Sequence, residues 1–141
     1  MKFLLTFTFL ISFLTVQSQD VFGSWKTVDD VTGEAKSIIE IYEKDGKAYG
    51  KIIEILDPDA PKDAKCIACT GKDKDKPIVG LTFLRGLEKD GDEYNGGTIL
   101  DPENGKEYKS YIQLASKDKL KVRGYIGFSL LGRTQYWYRV K

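Results

Sequence analysis

The sequence predicts an all-β fold, a single antiparallel up-and-down barrel of eight strands. Three observations carry that expectation. Apolar and polar residues alternate with period 2, as when one sheet face is buried and the other wet: Tyr108, Ser110, Ile112 and Leu114 share one face, Glu107, Lys109 and Gln113 the other. Gly, Asp and Asn punctuate the chain at intervals of about one strand and one turn. Trp25 lies at the start of the first strand and Arg139 near the end of the last. An aromatic face can take a guanidinium stacked on it, and such a pair can seal one end of a closed barrel.

Strands are expected near 23–29, 36–44, 47–56, 79–88, 93–100, 106–115, 119–126 and 133–140. Asp45-Gly46 and Asp90-Gly91 mark tight hairpins, because glycine tolerates positive φ. Asp101-Pro102-Glu103-Asn104-Gly105 is a stronger turn: Pro suits its first central position and Asn-Gly the left-handed residues that follow. In the seventh strand Leu120, Val122 and Ile126 oppose Lys119, Lys121 and Arg123, a solvated outer wall or a small basic docking strip. Closing the sheet removes exposed edges. A two-sheet sandwich uses the same alternation and remains an alternative. The connection over 57–78 is too long for a hairpin and carries Pro58, Pro61, Pro77 and both cysteines.

Met1-Lys2, the apolar run Phe3–Val16 and the small side chains around Ser18 read as a secretory signal peptide over 1–18, followed by one domain over 19–141. The run is short for a membrane span and no second one follows, so no transmembrane segment is expected after cleavage. Export to the periplasm or the extracellular space follows. The chain has 22 Lys and Arg against 21 Asp and Glu, and losing Lys2 balances them, which argues against nucleic-acid binding. It has no histidine, the commonest general base and metal ligand.

Several motifs together carry a family resemblance: Gly23-Ser24-Trp25, Val28-Asp29-Asp30, Cys66-Ile67-Ala68-Cys69, Ile99–Gly105, and the long run from Leu120 through Gly124-Tyr125-Ile126-Gly127 to Gln135-Tyr136-Trp137. The chain resembles the secreted bacterial proteins grouped as domain of unknown function 2147 (DUF2147), over nearly the whole mature length. The resemblance implies secretion and one β domain, and no catalytic residues. A looser likeness, on Gly23-Ser24-Trp25 and a late arginine, is to calycin and lipocalin-type barrels. In such a closure Arg139 is the better stacking partner for Trp25, and Arg133 the second.

Cys66-x-x-Cys69 is expected to form a disulfide in an oxidising compartment; redox activity or metal binding is the sharper alternative. The loop lacks the strand-then-helix setting of a thioredoxin motif, and zinc would need two more strong ligands. Asp29 and Asp30 are adjacent; on a strand they would point to opposite faces and could not share a site, and they are expected instead to begin a turn toward Thr32-Gly33. Asp57, Asp59 and Asp63 fit no calcium-loop spacing. No phosphate loop or nucleophile elbow is present, so neither catalysis nor a cofactor is expected. Phe83, Arg85, Tyr94, Tyr108, Tyr136 and Tyr138 are candidate ligand-lining residues, since tyrosine combines an apolar body with a polar handle. The alternative is an interior filled by its own side chains. Phe128, Leu130 and Leu131 form an apolar loop at one mouth, either a portal or partner contact or a plug folded into the core. The function expected is binding of a small, partly apolar molecule. The alternative is an envelope protein-interaction module using 124–133 or 57–78.

Overall fold

The computed structural model describes residue 12 and residues 20–141. The expected signal peptide over 1–18 therefore lies, apart from residue 12, outside the described residues. Eight strands form one closed barrel in which each strand pairs antiparallel with the next: β1 (Gly23–Val28), β2 (Ala35–Lys44), β3 (Lys47–Ile55), β4 (Thr82–Asp90), β5 (Glu93–Leu100), β6 (Glu107–Ser116), β7 (Lys119–Tyr125) and β8 (Gly132–Arg139). β4 begins at Thr82 rather than 79, because residues 78–81 close a turn in which the Leu81 N–H donates to the Ile78 carbonyl at 3.1 Å. The short hairpins over 45–46, 91–92 and 117–118 lie at one end of the barrel. The loops over 29–34, 56–81, 101–106 and 126–131 lie at the other.

Closure depends on β1 meeting β8. Those two strands pair through Trp25↔Arg139 and Lys26↔Tyr138, and the Val140 N–H adds a bond to the Ser24 carbonyl at 2.9 Å. The guanidinium of Arg139 stacks on Trp25, 4.3 Å from the ring centre. Its nitrogens donate to the carbonyls of Lys117 at 3.0 Å, Phe22 at 3.0 Å and Asp20 at 2.9 Å. The Asp118 carboxylate lies 3.8 Å from Nε. Trp25 is fully buried, and its indole N–H donates to the Val21 carbonyl at 2.8 Å. One fork of donors thus ties the segment before β1, the β6–β7 hairpin and the end of β8 into a floor. Gly23 serves the same contact: its φ is +122°, and a Cβ there would come within 3.3 Å of an Arg139 nitrogen.

The alternation continues from this floor. Trp137 is buried on β8 while Tyr136 and Tyr138 are exposed. On β6, Ser110 and Ile112 are fully buried; on β7, Leu120 and Val122 are. The outer wall uses its aromatics differently, with the Lys119 ammonium 4.5 Å above the Tyr136 ring and Lys121 5.4 Å from that of Tyr111.

The long connection is ordered by three contacts. Cys66 and Cys69 form a disulfide and are almost completely buried. The turn over 101–105 packs against it: Gly105 has φ +72°, and a Cβ there would collide with the Ala68 carbonyl. A short 3₁₀ turn, Gly71–Asp73, then places Asp73 beside Arg85 on the outside of β4, with nitrogen and carboxylate oxygen 3.0 Å apart. Arg85 also donates from Nε to the Thr82 carbonyl at 2.9 Å. The loop therefore lies against the barrel wall.

Replacing Arg139 by Ala should cost about 2–4 kcal/mol in chemical denaturation, from the lost stacking and charge-assisted bonds. Replacing it by Lys should recover less than half, because an ammonium lacks the planar fork. A Lys variant within about 0.5 kcal/mol of the parent would show that charge alone closes the floor. Gly105→Ala should cost about 2 kcal/mol, through strained φ and the lost fit against Ala68. An unchanged melting temperature would mean that this docking adds nothing to stability.

Candidate functional site

The barrel is sealed at the Trp25 end and open at the other. A cavity of about 920 Å³ runs inward from the open end. That volume lies within the range of small-molecule sites. Its inner part is apolar, walled by Phe83, Trp137, Ile39, Ile52 and Val122. Phe83 and Trp137 meet at a tilted 45°, ring centres 5.8 Å apart. Nearer the mouth the wall turns polar without charge. The hydroxyls of Thr27 and Ser37, register partners on β1 and β2, share a hydrogen bond of 2.7 Å. Gln135 on β8 accepts a long, 3.4 Å bond from the Trp137 indole.

Charge gathers at the rim. Arg133 binds the Asp30 carboxylate through two guanidinium nitrogens, one at 2.9 Å. That contact holds the guanidinium more firmly protonated than usual, against the opposing effect of burial. Asp29 is held below the usual carboxylate range by N–H donors from Thr32 and Val31. Lys36 lies between Asp29, at 4.0 Å, and Glu103, at 3.8 Å. β1 and β8 no longer pair beyond Lys26, so the Arg133–Asp30 bridge spans the parted ends of the strands that close the barrel.

Phe83 and Tyr108 line this cavity, and Asn104 donates to the Tyr108 hydroxyl at 3.0 Å. Tyr136 and Tyr138 do not: they face outward, a correction that follows from strand alternation. With Arg139 turned onto Trp25, positions 137 and 135 must face inward and 136 and 138 outward. Trp137 and Gln135 were the residues missed, and that parity was the signal that would have found them. Tyr94 sits at the closed end, packed edge-on to Phe22 at 5.9 Å, and burial pushes its hydroxyl's pKa up, aided by Asp20 and Glu43. Arg85 is outside the barrel against Asp73. It borders a shallow outer groove with Tyr42, Tyr49 and Lys72. Arg133 is at the open rim, away from Trp25, so it takes no part in the seal.

The loop over 126–131 does not plug the barrel. Leu130 is 89% exposed and Phe128 76%, while Leu131 borders the mouth. Arg123 steadies the loop from outside, donating to the Ser129 carbonyl at 2.6 Å. Across the mouth Val31 is 94% exposed. Among the described residues, no group of three His, Cys, Asp or Glu side chains is placed to hold a metal ion, and no helix is long and apolar enough to cross a membrane.

Comparison with known proteins agrees with this architecture. The family model described as "Uncharacterized protein conserved in bacteria (DUF2147)" matches residues 23–139. Among solved structures, the chain is similar to protein HP1028 from the human pathogen Helicobacter pylori, described as belonging to the lipocalin family. The two are 24% identical over 88% of this chain and 85% of that one, with a TM-score of 0.76. At that identity the likeness shows the fold. No curated protein matches.

Because the loop tip is solvated, the double change Leu130→Ser, Leu131→Ser should shift the unfolding free energy by no more than about 0.5 kcal/mol. A loss of about 2 kcal/mol or more in the same denaturation experiment would mean that the tip packs as core in solution.

Proposed function

The chain belongs to the DUF2147 family of bacterial proteins, and from that premise we propose that it is an exported, non-catalytic binding protein for a small, partly apolar molecule. The observation that carries this reading is the cavity: a barrel sealed at one end carries at the other an open recess of about 920 Å³, shared between the barrel mouth and its loops, with an apolar inner wall and a charged rim. The fold shared with a lipocalin-family structure is compatible with it. Export to the periplasm or extracellular space is supported by the apolar segment Phe3–Val16 and by the disulfide, which persists in oxidising compartments. The rim carboxylates are engaged by backbone N–H groups or cations and form no acid–base pair around a nucleophile.

A second reading, an envelope protein-interaction module, rests on the exposure of Phe128 and Leu130 at the mouth. Exposed apolar patches mark contact sites. The two readings separate cleanly. The carrier needs the cavity and tolerates serine at 130, which does not line it; the module needs the loop and tolerates a filled cavity.

Native mass spectrometry of the gently purified full chain should show a small-molecule adduct that is lost on denaturation. Val122→Phe should fill the apolar interior and lower adduct occupancy at least tenfold, at a stability cost of about 1–3 kcal/mol. Ile52→Phe offers the same test from the opposite wall. Undiminished occupancy in both folded variants would sink the cavity as the binding site.

A further inference from the structure

Resting on that carrier reading, we infer that the cavity selects an uncharged apolar molecule that carries a carbonyl-type oxygen, such as an ester, ketone or amide. The argument comes from the order of the wall residues from floor to rim. The innermost wall offers carbon surface and no charge, through Phe83, Ile39, Ile52 and Val122. Among the described residues, the charged side chains that border the cavity sit at strand ends or on the mouth loops. There Arg133 is engaged by Asp30, Lys36 lies between Asp29 and Glu103, and Lys65 is solvent-exposed on the loop over 56–81. The cations that sequence alone would offer to an acidic ligand are committed elsewhere. Arg139 is inward but lies on Trp25, donating to three carbonyls. Arg85 lies outside the wall beside Asp73. A carboxylate carried below the rim would lose its water and meet no counter-charge, a cost far larger than that of a neutral polar group.

Between floor and rim lies the belt of Thr27, Ser37 and Gln135, which lines the cavity and keeps free donors beside its acceptor lone pairs. The Trp137 indole nitrogen can only donate, so its contact orients the Gln135 amide with oxygen toward the indole. The amide NH2 is left turned away from that bond. Thr27 and Ser37 use one hydroxyl proton in their shared bond and keep the other. Donors facing into an apolar cavity recognise an acceptor, and a carbonyl oxygen is an acceptor without charge. A pure hydrocarbon would leave these donors unpaired, which sites of this kind penalise.

The test compares three probes of one alkyl length, about ten carbons, sized to a cavity of this volume. They are a methyl ester, the corresponding carboxylate and the alkane, titrated into full-length protein at about pH 8, where the acid is ionised. Competition against an environment-sensitive apolar dye reads the affinities. The ester should bind at least tenfold tighter than either of the others. Gln135→Leu should weaken the ester and strengthen the alkane, since no amide is then left unpaired, so that the tenfold ester preference falls to less than about threefold. Thr27→Val should act in the same direction and serves if the Gln135 variant does not fold. A carboxylate that binds as well as the ester, or an ester preference that survives both substitutions, overturns the inference while leaving the carrier intact. If the dye and all three probes fail to bind folded protein, the carrier reading itself falls, and this inference with it.

Discussion

Everything in this barrel depends on one contact, the guanidinium of Arg139 laid on the indole of Trp25. A sheet of eight antiparallel strands has two edges, and each exposes unpaired backbone groups until the edges join. Here β1 and β8 join through two register pairs, fewer than at any other seam. The short seam is reinforced by a side chain whose donors reach carbonyls on three separate segments. The planar fork holds all of them at once, which a lysine could not. Gly23 belongs to the same device because it leaves room for the fork.

Sealing one end leaves the cavity open only toward the other. The parity set at Arg139 runs up β8 and decides which chemistry faces inward: Trp137, then Gln135, then Arg133. The same order, apolar to neutral polar to charged, appears on the neighbouring strands through Ile39 and Ser37 on β2 and Thr27 on β1. A charged rim above an uncharged interior keeps the mouth wet and the floor dry. It also places each charge where solvent or a partner can satisfy it.

The long connection shows how a structureless stretch of sequence becomes a fixed part of the wall. Its disulfide closes a ring too small to restrain much chain entropy. Its effect is local shape, giving the turn over 101–105 a surface to fit, and the fit requires glycine at 105. Two motifs distant in sequence are thus two halves of one contact. The Asp73–Arg85 pair then fastens the far end of the loop to β4.

Much of this was legible beforehand. Period-2 alternation and turn chemistry are local properties, so the eight strands, their hairpins and the all-β class follow from the sequence alone, as does the expectation of the disulfide between Cys66 and Cys69. Trp25 and Arg139 announce their pairing because closing an antiparallel meander must bring its first and last strands together. The tyrosines of β8 could be offered as lining residues because an isolated strand with aromatics on both faces carries no label for inside. Only register against β1 and β7 supplies that label. Arg85 looked like an interior charge until a loop remote in sequence brought Asp73 to it on the outer wall. The cavity itself was a matter for tertiary structure, because whether eight strands enclose space or fill it depends on how side chains from opposite walls meet, a relation between residues far apart along the chain.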